Sequence, residues 1–126
     1  MPYTYDDQNI FARILRGEIP NDTVMETEHT LAFNDLYAQA PVHVLVIPKG
    51  AYVTYDDFCA NASEAEIVDF ARTCSAICRE KGLAADSGPG FRAISNAGAH
   101  GVQEIPHFHL HLIGGRPLGR MLSKAE

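Results

Sequence analysis

Apolar positions along the chain fall into blocks with two different periods. Val42 to Ile47 is apolar on both faces apart from His43, reads as a buried strand and is ended by Pro48. Thr23 to Thr27 and Leu31 to Asn34 read as shorter strands, with Glu28-His29-Thr30 between them, which predicts a hairpin. Phe91 to Ser95 predicts a further strand, and His107 to Ile113 a final one stopped by Gly114-Gly115-Arg116-Pro117. The helical period appears twice. Asn9 is placed to cap a short helix through Arg16, with Ile10, Phe11 and Ile14 inward, and Gly17 and Pro20 stop it. Ser63-Glu64-Ala65-Glu66 is a capping box that opens a long helix to about Lys81, terminated at Gly82. Ile67, Phe70, Ala71, Cys74, Ile77 and Cys78 form the apolar stripe of that helix. Helices and strands joined by short hairpin-type connections predict an α+β fold with an antiparallel sheet.

The 126 residues suit one domain, 1–126, and 46% hydrophobic with 21% charged residues is an ordinary globular balance. The formal net charge of −6 leaves no electrostatic footprint for a nucleic acid or an anionic membrane. The start Met1-Pro2-Tyr3-Thr4-Tyr5 lacks the basic and apolar regions of a secretory signal, and no apolar run approaches bilayer length. Cys59, Cys74 and Cys78 are an odd set without a disulfide-framework spacing. The expectation is a cytoplasmic protein with reduced thiols.

Candidate chemistry concentrates in His107-Phe108-His109-Leu110-His111-Leu112-Ile113. Period two on a strand puts His107, His109 and His111 on one face and Phe108, Leu110 and Leu112 on the other. The apolar row is the core face, which leaves the imidazoles along an open one. Three readings compete. Chance recurrence on a solvated face is the bland one, and strict alternation of three argues against it. A metal site is the second, since an H-x-H pair can converge on zinc with a third ligand from elsewhere, although three on one strand cannot all converge without a bulge. The third is nucleophilic catalysis, in which neighbours hold a middle imidazole in one tautomer and donate to phosphoryl oxygens.

The segment Asn96 to Glu104 carries Gly98 and Gly101, and its successive amides can form an anion-binding nest. His43, alone on an apolar strand, is either a satisfied core residue or, if that strand lies beside the last, a proton relay. Asp35 is either turn chemistry or a carboxylate for a ribose diol. His29 and His100 read as loop residues, Asp56-Asp57 as a solvated helix start, and Cys74 with Cys78 as core.

At His107 to Ile113 the chain resembles the H-φ-H-φ-H-φ-φ signature of histidine-triad nucleotide-binding proteins, where φ is apolar. Asn9 to Pro20 is similar to the first helix of the Hint branch. Ala32 to Asp35 with Gln39 to Lys49 is similar to its central block, and Gly114 to Gly119 to its bacterial tail. The resemblance implies a HIT-like fold: a five-stranded antiparallel sheet with one long and one short helix, extended across a homodimer. It implies a purine nucleoside phosphoramidase that hydrolyses the P–N bond of adenosine or guanosine 5′-phosphoramidates through a nucleotidyl-histidine. By resemblance His109 is the nucleophile, His111 and His107 orient it and bind phosphate oxygens, and His43 belongs to the proton relay. Asn96 and the Gln103 segment hold the phosphate, Asp35 binds ribose, and Ile10, Phe11, Phe33 and Leu36 sandwich the base. No metal is required for turnover, although zinc can bind.

Two positions depart from the pattern. Glu104 stands where eukaryotic members often have serine, and can assist a departing amine only if protonated. Val102 stands where a second glycine is usual, and its side chain disfavours φ > 0 in the phosphate loop. Rival readings are a dinucleoside polyphosphate hydrolase using the same nucleophile, against which the Gly114-Gly115-Arg116-Pro117 tail argues, and a nucleotide-binding regulatory protein with little catalysis.

Overall fold

A computed structural model describes residues 3–125. Their order is α1 (Ile10–Leu15), β1 (Thr23–Glu26), β2 (Thr30–Asn34), β3 (Val42–Pro48), α2 (Tyr55–Asn61), α3 (Glu64–Glu80), β4 (Arg92–Ile94) and β5 (Leu110–Gly114). The strands form one antiparallel sheet in the order β1-β2-β3-β5-β4. Among the described residues no helix is long and apolar enough to cross a membrane.

The caps read from the sequence are present. The Asn9 side chain accepts from the Ala12 amide at 3.0 Å, and Ser63 and Glu66 complete a reciprocal capping box at the start of α3. One short helix more than the sequence reading counts is found between β3 and α3. Its seven residues are too few for a periodic stripe, and Thr54, accepting from the Asp57 amide, starts it. Asp57 is not solvated: it is buried, accepting from the Val53 amide and from Asn61, while Asp56 stays exposed.

β3 is central and apolar, so its alternation divides the core between the two faces of the sheet. Val44 and Val46 pack with Ala32, Leu112, Phe108 and the α3 stripe residues Phe70, Ile77 and Cys78. Leu45 and Ile47 pack with Leu31, Phe33 and the α1 residues Phe11 and Ile14. Phe108 lies fully buried between the rings of Phe58 and Phe70, with centroids 5.2 and 5.1 Å away. Burying each such aromatic contributes on the order of 2 kcal/mol.

The final ladder is shorter than the predicted strand, because pairing with β3 runs only from Leu110 to Gly114. Beyond that point Pro48 has no N–H to offer, and the Phe108 amide bonds to the Tyr52 carbonyl at 2.8 Å. Side chains still alternate through His107–His109, with Phe108 in the α3-side core and His109 on the opposite side.

Asp69 on α3 ties the β1–β2 hairpin to the helix. One carboxylate oxygen accepts from Thr27 Oγ1 at 2.6 Å, Thr30 Oγ1 at 2.8 Å and the His29 amide at 3.1 Å. Burial alone would raise this carboxyl; the three donors outweigh it and hold the group below the usual carboxylate range. Asp69→Ala strands those donors, the buried Thr30 hydroxyl among them, and should destabilise the protein by about 2 kcal/mol. The check is urea unfolding: a lowered midpoint at unchanged slope is expected, and an unchanged midpoint would remove Asp69 from this role.

Candidate active site

Sheet register decides which imidazoles meet. Leu45 pairs with His111 and His43 with Ile113, so His43 and His111 are diagonal neighbours on one face. Phe33 pairs with Leu45 and extends the row toward α1. The face is not open, as the alternation alone suggests. Phe11 of α1 meets the His109 ring edge-on, with centroids 5.0 Å apart, and His107, His109 and His43 are all buried.

Fixed acceptors and donors assign the tautomers. His109 Nδ1 lies 2.7 Å from the His107 carbonyl, which can only accept, so Nδ1 carries the proton and Nε2 keeps a free lone pair. His107 Nε2 likewise donates to the Pro48 carbonyl at 2.8 Å, and its Nδ1 accepts from the Tyr5 hydroxyl at 2.6 Å. His43 Nδ1 accepts from the Gln39 amide at 3.1 Å, which places its proton on Nε2. That proton faces His111 Nδ1 at 2.9 Å and Asp35 Oδ2 at 3.3 Å. His111, accepting at Nδ1, therefore carries its proton on Nε2. Every ring is neutral and oriented.

Burial pushes all four imidazoles toward the neutral form. His107 falls to about 4 through burial, against the opposing pull of the Pro48 carbonyl. His111 also falls to about 4, through burial and then the neighbouring His109 and His43. His109 is lowered by burial, with the His107 carbonyl and then Asp35 and Glu104 opposing, and His43 by burial with Asp35 opposing. A neutral imidazole with a bare nitrogen is what a nucleophile requires.

His109 and His111 form the floor of a cavity of about 420 Å³, a size common for small-molecule sites. Phe11, Ile14, Phe33 and Leu45 line it as one apolar cluster with Ile105 packed against them, and Asn96, Val102 and Glu104 line it too. Asp35 lines the cavity too, its Oδ1 accepting from the Tyr37 amide at 2.8 Å in a local turn. Carboxylate lone pairs remain for further donors. Ile10 and Leu36 stand at the rim, Leu36 almost wholly exposed. Most of the expected site residues are thus brought together.

Two are not. His107 is fully buried with both nitrogens engaged, which leaves it an orienting part and no route to a phosphate oxygen. Gln103 turns away from the cavity: its amide nitrogen donates to the carbonyls of Val53 and Ile105, and its oxygen accepts from the Gly98 amide. It braces the loop that Asn96 and Glu104 flank. Tyr5 was missed, because a tyrosine in a polar stretch before a helix carries no sequence signal. Asp35, His43 and His111 offer donor atoms within 4.8 Å of one another, a set a cation could use only by displacing the His43–His111 hydrogen bond.

Val102 keeps the left-handed backbone that its β-branched side chain disfavours. Its φ is +56°, and it is the one non-glycine residue with positive φ among the described residues. Hydrogen bonds from its own amide to the Ala99 carbonyl and from the Gln103 amide to the Gly98 carbonyl hold the turn with the valine strained.

Residues 16–118 match the family model described as HIT domain. The chain is 55% identical over 124 residues to an uncharacterized 13.2 kDa HIT-like protein of Azospirillum brasilense, covering 98% of this chain and 99% of the relative. It is 40% identical over 117 residues to the purine nucleoside phosphoramidase of Escherichia coli, covering 93% of this chain and 95% of that one. Among solved structures, a histidine triad protein from Clostridium difficile matches with a TM-score of 0.79 at 38% identity, over 94% of this chain and 100% of that chain.

Two outcomes follow from the site. The lowered imidazoles refuse protons that the unfolded chain accepts below about 6.5, so stability is full above that pH and falls progressively toward 4. Urea midpoints measured from pH 7.5 to 4 should therefore decline already between 6.5 and 5, above the range where carboxylates titrate; a flat profile there would contradict the neutral rings. Replacing Val102 by glycine relieves the left-handed strain by more than glycine's backbone entropy costs, a net gain of about 1 kcal/mol. A calorimetric Tm that fails to rise would count against strain at Val102.

Proposed function

Because this chain belongs to the histidine triad family, we propose that it is a purine nucleoside phosphoramidase with His109 as the nucleophile. The observation that carries this reading is the 2.7 Å contact from His109 Nδ1 to a main-chain carbonyl, which leaves Nε2 bare on the floor of the cavity. Attack of Nε2 on the α-phosphorus forms an N–P bond as the substrate's P–N bond breaks, and the departing amine takes up a proton. A water then attacks the same phosphorus and restores His109; the proton it gives up balances the one the amine took. His111 Nε2–H donates to a phosphoryl oxygen as charge develops there. His43 and Asp35 hold His111 in the donating tautomer. His107 acts by orienting His109.

In the same reading Asp35 accepts from the ribose hydroxyls, Asn96 and the loop amides meet the phosphate, and the base lies between Ile10, Phe11, Phe33 and Leu36. The cavity lining combines these apolar side chains with polar groups, which suits an amphipathic nucleotide. A second copy of the chain continues the sheet beyond the short β4 edge. In this reading turnover needs no metal.

The test is hydrolysis of a fluorogenic adenosine 5′-phosphoramidate by protein treated with chelator. Wild type should turn over, and His109→Ala, shown to be folded, should lose at least about 10³-fold in kcat/KM. A chelated wild type without activity would overturn the metal-free reading, and equal rates in both proteins would overturn the nucleophile. Faster cleavage of a diadenosine polyphosphate than of the phosphoramidate would favour the P–O hydrolase instead.

A further inference from the structure

The segment before α1 runs over the surface and is pinned by two tyrosines. The Tyr3 hydroxyl donates to the Asp56 carboxylate at the start of α2. The Tyr5 hydroxyl reaches inward to His107 Nδ1 at 2.6 Å, with the two rings edge-to-face at 5.6 Å. Burial raises the Tyr5 hydroxyl above its ordinary range, so it remains a donor.

His107 needs that donor. Its Nε2 proton is committed to the Pro48 carbonyl, so its Nδ1 is a bare acceptor inside a fully buried ring. Left unpaired, such a nitrogen bears the full desolvation cost of a buried acceptor, which favours either protonation or rotation of the ring. The same residue's carbonyl is the acceptor for His109 Nδ1–H, so His107 joins the Tyr5 hydroxyl to the orientation of the His109 ring. Tyr5 and Pro48 hold the His107 ring from both ends, and the His107 carbonyl in turn aims His109 and keeps its proton on Nδ1.

We propose that Tyr5 is a positioning residue for the nucleophile, acting on His109 through His107. The proposal rests on the phosphoramidase reading for its kinetics. Tyr5 lies outside the cavity lining, so its contribution falls on the chemical step and not on nucleotide affinity.

The experiment compares wild type with Tyr5→Phe, which keeps the ring and removes only the hydroxyl. Adenosine 5′-phosphoramidate turnover is measured together with the ¹⁵N shifts of His107 and His109. The expected result is a fall in kcat of about tenfold with KM within about twofold, and loss of the single Nδ1–H tautomer of His109. A kcat within about twofold of wild type overturns the proposal, as does a lower kcat with the His109 tautomer intact, or a change confined to KM. A merely structural Tyr5 would lower the Tm and leave both readouts in place. If Tyr5→Phe does not fold, the wild type decides: a slowly exchanging Tyr5 hydroxyl proton coupled to His107 Nδ1 supports the proposal, and its absence overturns it. Should the wild type not cleave the phosphoramidate, the functional reading fails, while the tautomer comparison still tests Tyr5.

Discussion

Pairing of β3 with β5 sets the distance between imidazoles drawn from opposite ends of the chain. With Leu45 opposite His111 and His43 opposite Ile113, the two rings fall on a diagonal of one face, where a 2.9 Å hydrogen bond joins them. A slip of β5 by one residue would turn the triad histidines into the α3-side core and bring Phe108 and Leu112 into the cavity. The buried alternation of β3 excludes that slip, since Val44 and Val46 have α3 to pack against while Leu45 and Ile47 have α1. Hydrophobic burial on two faces is thus what holds the polar chain of imidazoles in register.

The same burial makes the chemistry. Removing the rings from water keeps them neutral, and neutrality leaves each with one donor and one acceptor nitrogen. Oriented backbone groups then decide which nitrogen is which: the carbonyls of His107 and Pro48 and the amide of Gln39. The path from the Gln39 amide through His43 to His111 is a relay of hydrogen bonds that ends in a donor at the cavity. At His109 the His107 carbonyl takes the Nδ1 proton and leaves a bare lone pair on Nε2.

Much of this was legible in the residues. The alternation at His107–His111 located the site, the apolar run at Val42–Ile47 identified the strand that carries His43, and Asn9 and the Ser63–Glu66 box marked two helix starts. Local patterns sufficed there because each feature is fixed by residues within a turn or a pleat of one another. What was not legible depends on long-range contacts. Tyr5 lies 102 residues from His107, and Gln103 could equally have faced a ligand until Val53, 50 residues away, was seen to accept from it. The α2 helix owes its position to Asp57 and Thr54, a cap too short to carry a period. At Val102 the reading of a side chain averse to positive φ was correct about the strain, but the surrounding turn bonds outweigh it.

The acceptor that aims His109 is a peptide oxygen and not a side chain. Every amino acid supplies that oxygen, so no codon change at position 107 can delete it. Mutation at position 107 can reach this contact only indirectly, by displacing the trace of the chain. That part of the aim of the reacting nitrogen is therefore inherited with the fold itself.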